Sequence, residues 1–119
     1  MKKNRGFVIQ EHARDDSVHW DFMLETGQVL QTYRLELPPD KLLEQRCTAV
    51  KIADHSLKFL TYEGAVNNGK GSVRIVEAGT YQLLSKDERC IGLQLDGEIL
   101  KGEFTLTHIK DVRWEFGLC

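Results

Sequence analysis

Apolar and polar residues alternate along most of this chain, and that period of two limits the possible folds more than any other feature. Runs of this kind occupy residues 6–12, 18–25, 28–35, 48–53, 57–62, 72–77, 80–84, 90–95, 98–107 and 112–116. Successive side chains of a strand point to opposite faces, so each run can bury one face and leave the other to water. Turn chemistry interrupts the runs at short intervals. Glu25-Thr26-Gly27-Gln28, Asp96-Gly97 and Lys110-Asp111 stand where tight hairpins are expected, and Asp-Gly is the strongest of these signals. The spacing predicts an all-β, mostly antiparallel fold, either a barrel or a sandwich. One short helix is expected over residues 38–45, where Pro39 ends the preceding strand, Asp40 can cap, and Leu42 and Leu43 supply a buried contact.

The chain of 119 residues is expected to form one compact domain over 1–119, large enough to bury a core without a covalent or metal staple. Its formal charge of −2 argues against bulk electrostatic binding of nucleic acid. Contact with a nucleic-acid end stays open, because a bound metal ion can supply the positive charge locally. Cys47, Cys90 and Cys119 are odd in number, far apart and without a Cys-x-x-Cys pair, as expected in a reducing cytoplasm. No apolar run reaches the length of a membrane span. Met1-Lys2-Lys3-Asn4-Arg5 leads straight into a strand-like stretch, which reads as no signal peptide.

The candidate chemistry is concentrated near the start of the chain. His12, His19 and Asp21 lie within ten residues, and the His-x-Asp spacing puts the last two on one strand face. Val18, Trp20, Phe22 and Leu24 form the opposite, apolar face, so their burial would hold His19 and Asp21 side by side. Two imidazoles and a carboxylate suit a Mn, Fe or Zn ion and leave coordination positions open for water or a phosphate oxygen. The competing reading is a hydrogen bond between His19 and Asp21 on a wet face, with His12 unrelated. His55 lies between two strand-like runs; an imidazole there suits a general acid, while a turn histidine satisfied by Asp54 or Ser56 is the structural alternative. His108 reads as surface.

The segment Asn67-Asn68-Gly69-Lys70-Gly71-Ser72 reads as a turn needing positive φ at Gly69 or Gly71, and otherwise as a loop that opens backbone amides to a substrate. Trp20, Phe22, Tyr33, Tyr62, Trp114 and Phe116 alternate with polar neighbours and read as core rather than as a base-stacking surface.

Several motifs, in order, resemble the 3′-phosphoesterase domain of bacterial DNA ligase D. They are Phe7-Val8-Ile9-Gln10-Glu11-His12, His19-Trp20-Asp21-Phe22-Met23-Leu24-Glu25 and Gly27-Gln28-Val29-Leu30-Gln31. Asp54-His55-Ser56-Leu57, Tyr62-Glu63-Gly64, Gly79-Thr80-Tyr81 and Gly97-Glu98-Ile99-Leu100-Lys101-Gly102-Glu103-Phe104 follow, so the likeness runs from about Phe7 to Phe116. The resemblance implies a small β-barrel with a Mn-dependent site on a concave face, Zn being the second choice of ion. It implies removal of a 3′-ribonucleotide or 3′-phosphate from DNA or RNA/DNA ends in end joining, alongside ligase and polymerase activities that here would be separate proteins. It further implies that His12, His19 and Asp21 hold the metal and that His55 faces the phosphate as the catalytic histidine.

Departures from the family pattern fall on its phosphate-binding positions. Met23 stands where an Arg is expected two residues after the metal-binding Asp. Cys47, beside Arg46, aligns with a second Arg, Phe59 with a Tyr, and Ala53 with a Glu. The chain therefore reads as a stand-alone divergent member with weak or altered activity, or as a non-catalytic repair module that keeps the barrel. A hydrolase acting on a smaller phosphoester is a third reading. If Arg34, Arg46 or Lys51 reaches the site, the enzyme reading gains.

Overall fold

The computed structural model describes residues 5–119; Met1–Asn4, part of the segment read as lacking a leader, lie outside the described residues. Nine strands form one sheet: β1 (Arg5–Arg14), β2 (Ser17–Thr26), β3 (Val29–Leu35), β4 (Cys47–Ser56), β5 (Gly64–Val66), β6 (Gly71–Lys86), β7 (Cys90–Gly97), β8 (Lys101–Lys110) and β9 (Arg113–Leu118). Their order is β1-β2-β3-β4-β9-β8-β7-β6, every pairing is antiparallel, and β6 also pairs with β1. The eight strands thus close a barrel, leaving β5 as a short ribbon on the start of β6. The all-β antiparallel fold expected from the alternation is observed, and of the two architectures left open it is the barrel that the resemblance implies.

Every barrel strand sends side chains into one interior. Phe7 and Ile9, Phe22 and Leu24, Tyr33 and Leu35, Ala49, Tyr81, Leu93 and Leu95, Phe104 and Leu106, and Phe116 form a single buried cluster. Phe22 stacks on Phe116 with ring centroids 4.6 Å apart, and Phe116 stacks in turn on Phe104. Burying such aromatic rings supplies much of the driving force, because each removes a large apolar area from water. Tyr33 is among them, and burial with the nearby Asp54 charge pushes its phenol up to about 12.

Three local expectations are corrected. The helix is only a 3-10 turn, Pro39–Leu43, capped by no side chain, so Asp40 does not serve as its cap. Residues 57–62 are not a strand. Leu57–Leu60 form a second 3-10 turn, because the Ser56 hydroxyl accepts from the Lys58 amide and turns the chain. Asp96 and Gly97 belong to β7, and the reversal lies after them. There the buried Glu77 carboxylate accepts from the amides of Glu98, Ile99 and Leu100, so a side chain organises this hairpin. Gly97 is required beside it: a Cβ there would lie 2.5 Å from Glu77 Oε2.

The expected aromatic core is found with one exception. Phe22, Tyr33 and Phe116 are interior, and Trp20 and Trp114 pack against them, whereas Tyr62 packs on Phe59 at the second 3-10 turn. Asn67, Asn68 and Gly69 take the positive φ values of the β5–β6 turn; Gly71 does not. No helix among the described residues is long and apolar enough to cross a membrane.

Candidate metal centre on the outer barrel wall

The barrel interior takes Phe7 and Ile9 from β1 and Phe22 and Leu24 from β2, so Val8, Gln10 and His12, with His19, Asp21 and Met23, project outward. The expected concave face is therefore not the barrel interior. Register brings the outward groups together: His12 pairs with His19 and Gln10 with Asp21. His12 Nδ1 lies 3.0 Å from His19 Nε2, and His19 Nε2 lies 3.4 Å from Asp21 Oδ2. One ligand atom from each of His12, His19 and Asp21 falls within 4.8 Å of the other two.

These distances fit a shared ion. Two donors each about 2.1 Å from one metal and at right angles to each other stand about 3.0 Å apart. A purely hydrogen-bonded arrangement is frustrated. If the His12 Nδ1 proton donates to His19 Nε2, the lone pair there also faces the Asp21 carboxylate. If His19 Nε2 carries the proton instead, the neutral His12 proton moves to Nε2, which is buried without a hydrogen-bond partner. A cation relieves the first conflict by accepting all three lone pairs, with the His12 proton then on Nε2 as in the second arrangement. Burial holds the His19 pKa below its ordinary 6.5. The Asp21 charge opposes this, while Arg34 and His12 reinforce it. The ring is accordingly neutral and available as a ligand at pH 7.

The surroundings hold the cluster in place. Asp21 is only 4 % exposed. Gly71 lets β6 approach the His12 ring, since a Cβ there would sit 3.1 Å from both His12 Nε2 and the Ala13 carbonyl. The Gln10 side-chain amide donates to the carbonyls of Phe59 and Tyr62, tying the second 3-10 turn down beside the cluster. Val8, Met23 and Leu30 form a small buried group under Leu57, Phe59 and Leu60.

The other candidate residues separate into distinct places. His55 faces the same outer wall but is not in the cluster. Its Nδ1 proton is directed to the Ala53 carbonyl and the Thr32 hydroxyl, at 3.0 and 3.1 Å, and Thr32 is the register partner of Met23. A carbonyl can only accept, so Nδ1 carries the proton and Nε2 is the ring atom left for other partners. Met23 does share the face of His19 and Asp21, yet it is fully buried under the second 3-10 turn and faces no solvent. Cys47 lies in the barrel interior, where burial raises its thiol pKa. Arg46 is held by Glu115, Thr105 and the Leu118 carbonyl, and Lys51 lies over the Tyr33 ring near Asp54. Arg34 alone of the three named cations reaches the cluster, its Nε 3.4 Å from Asp21 Oδ1. His108 donates to the Asp111 carbonyl beside Trp114, as a surface histidine would.

A barrel carrying a His-His-Asp cluster on its outer wall defines a class of small domain with a candidate catalytic metal centre. The model of the DNA ligase D 3′-phosphoesterase domain matches residues 10–108, and the chain belongs to that family. It is 34 % identical over 118 residues to the multifunctional non-homologous end joining protein LigD of Mycobacterium bovis. The same identity relates it to the multifunctional non-homologous end joining DNA repair protein LigD of Mycobacterium tuberculosis. The LigD of Mycolicibacterium smegmatis is 28 % identical over 126 residues. These alignments take in 91–93 % of this chain but only 15–16 % of each relative.

Proposed function

We propose that this domain is a divalent-metal-dependent DNA 3′-end-processing phosphoesterase, Mn being the favoured ion and Zn the alternative. Its substrate would be a 3′-ribonucleotide or a 3′-phosphate at a DNA or RNA/DNA end. The observation that carries the reading is the convergence of His12 Nδ1, His19 Nε2 and Asp21 Oδ2 in a chain of this family. His12, His19 and Asp21 would hold the ion, which when bound supplies Lewis acidity toward a phosphoryl oxygen and a site for water. Gly71 and Gln10 keep the ligands and the neighbouring turn in place. His55 has its Nδ1 proton committed to the Ala53 carbonyl, so Nε2 is the atom that would accept or return a proton.

The chain lacks several groups that the family pattern supplies to phosphate. Met23 is buried, Cys47 faces the barrel interior, and Phe59 has no hydroxyl. Loss of one preorganised donor lowers turnover by roughly two to three orders of magnitude, and such losses do not add. The activity is therefore weak or altered against the family pattern. The same losses favour a second reading, a non-catalytic repair module that keeps barrel and metal; the cation at Asp21 weighs toward the enzyme. Family membership points to work on DNA ends in repair.

The test incubates the protein with Mn and a primer–template ending in a 3′-phosphate or a single ribonucleotide. Shortened or dephosphorylated product that disappears in His19→Ala supports the enzyme. Metal binding without product after prolonged incubation supports the module instead.

A further inference from the structure

The two oxygens of Asp21 face different partners. Oδ2 lies toward His19 Nε2 and the ligand cluster, whereas Oδ1 meets Arg34 Nε. Arg34 is the β3 register partner of Asp21, so its side chain leaves the same outer wall one strand away. The contact is made through Nε alone. Neither terminal Nη group has a hydrogen-bond partner among the described residues, and the side chain is 43 % exposed. Arg46 shows how differently such a group is used when its role is structural, since it commits Nε and both Nη groups to protein acceptors.

We propose that Arg34 is an anion clamp, which binds the terminal phosphate monoester of a 3′ end beside the metal cluster and gives the site its preference for that group. This rests on the functional reading above and deepens it. A guanidinium held at Nε by a carboxylate is oriented while its two Nη donors stay free, and a planar fork of donors matches the oxygens of a phosphate. Because Arg34 uses Oδ1, it does not compete for the oxygen that faces the ligand cluster. Its charge opposes a bound cation yet favours a dianion next to it, which selects a phosphate monoester over a bare 3′-hydroxyl. The clamp thus comes from β3, in place of the β2 position where Met23 is buried.

Equilibrium binding of labelled primer–templates ending in a 3′-phosphate or a 3′-hydroxyl, read by fluorescence anisotropy with Ca2+ present, tests the assignment without relying on turnover. Wild type binds the 3′-phosphate end at least tenfold more tightly, Arg34→Gln removes most of that preference, and Arg34→Lys keeps part of it. Inorganic phosphate shifts the Arg34 Nε–H resonance of the wild type. Affinity for Mn, measured alongside, is unchanged or higher in Arg34→Gln, since a positive charge has been taken away from beside the ligands. Three results overturn the clamp. One is a folded Arg34→Gln that keeps the full preference. Another is a collapse of its Mn affinity, which would make Arg34 a positioning residue for Asp21. The third is a wild type that binds Mn at the cluster yet shows no preference for the 3′-phosphate. If the wild type neither binds Mn at the cluster nor processes ends, the functional reading beneath the clamp fails as well.

Discussion

The two faces of β1 and β2 obey different rules. Inward, Phe7, Ile9, Phe22 and Leu24 meet side chains from all the other barrel strands and form one continuous apolar interior. Outward, the character changes along the strands: Val8 and Met23 are buried under the second 3-10 turn, Gln10 anchors that turn, and His12, His19 and Asp21 form a polar cluster beyond it. The inner face has a surplus of mutually supporting contacts. The outer face has few, each with its own partner, so it can be altered locally while the barrel persists. That contrast lets side chains of the outer wall change without loss of the barrel.

The comparison is broken most severely from the inside. Phe22→Ala removes a ring stacked on Phe116 and costs about 3–5 kcal/mol, measured by chemical denaturation. If it costs no more than an outer-wall truncation such as Leu57→Ala, the two faces do not differ as described. Met23→Arg comes next. It places a guanidinium in the buried group under the second 3-10 turn, destabilises the fold by at least about 2 kcal/mol, and restores no activity. A stable Met23→Arg variant with raised Mn-dependent turnover would show that Met23 borders the substrate.

Glu77→Ala sharpens the contrast from another side. It leaves the amides of Glu98, Ile99 and Leu100 without their acceptor and costs about 1–3 kcal/mol, yet it leaves metal affinity at the cluster unchanged. Gly71→Ala does the reverse: it presses on the His12 ring and weakens metal binding by roughly tenfold with a smaller loss of stability. Acid gives the smallest effect. The folded chain holds His19 below its ordinary 6.5, so the unfolded chain binds that proton first. His19 therefore costs no stability above about pH 6.5, and stability declines as pH falls from there through the lower folded value. Without metal, His19→Gln removes that part of the pH dependence. An unchanged profile would place the titration elsewhere.

Much of this was legible in the residues. Period-two alternation revealed the strands, and His19-Trp20-Asp21 disclosed its own geometry because i and i+2 share a face in any strand. What stayed hidden depended on neighbours distant in the chain. Leu57-Lys58-Phe59-Leu60 looked like a strand until the Ser56 hydroxyl captured the Lys58 amide. Strand spacing puts Met23 on the face of His19 and Asp21, but its burial comes from a turn more than thirty residues away. Glu77 gave no signal as the organiser of a hairpin, since its acceptor role exists only after β6 and β7 pair. In the sequence Arg34 is one of three equivalent cations, and only the β2–β3 register distinguishes it from Arg46 and Lys51.

The central claim is that the outer wall carries a three-ligand metal centre. Crystals soaked in Mn and measured at its absorption edge test it directly. The account predicts one strong anomalous peak within about 2.0–2.3 Å of His12 Nδ1, His19 Nε2 and an Asp21 oxygen, lost in His19→Ala crystals. No peak at that position, with His12 and His19 still hydrogen-bonded ring to ring, would contradict it.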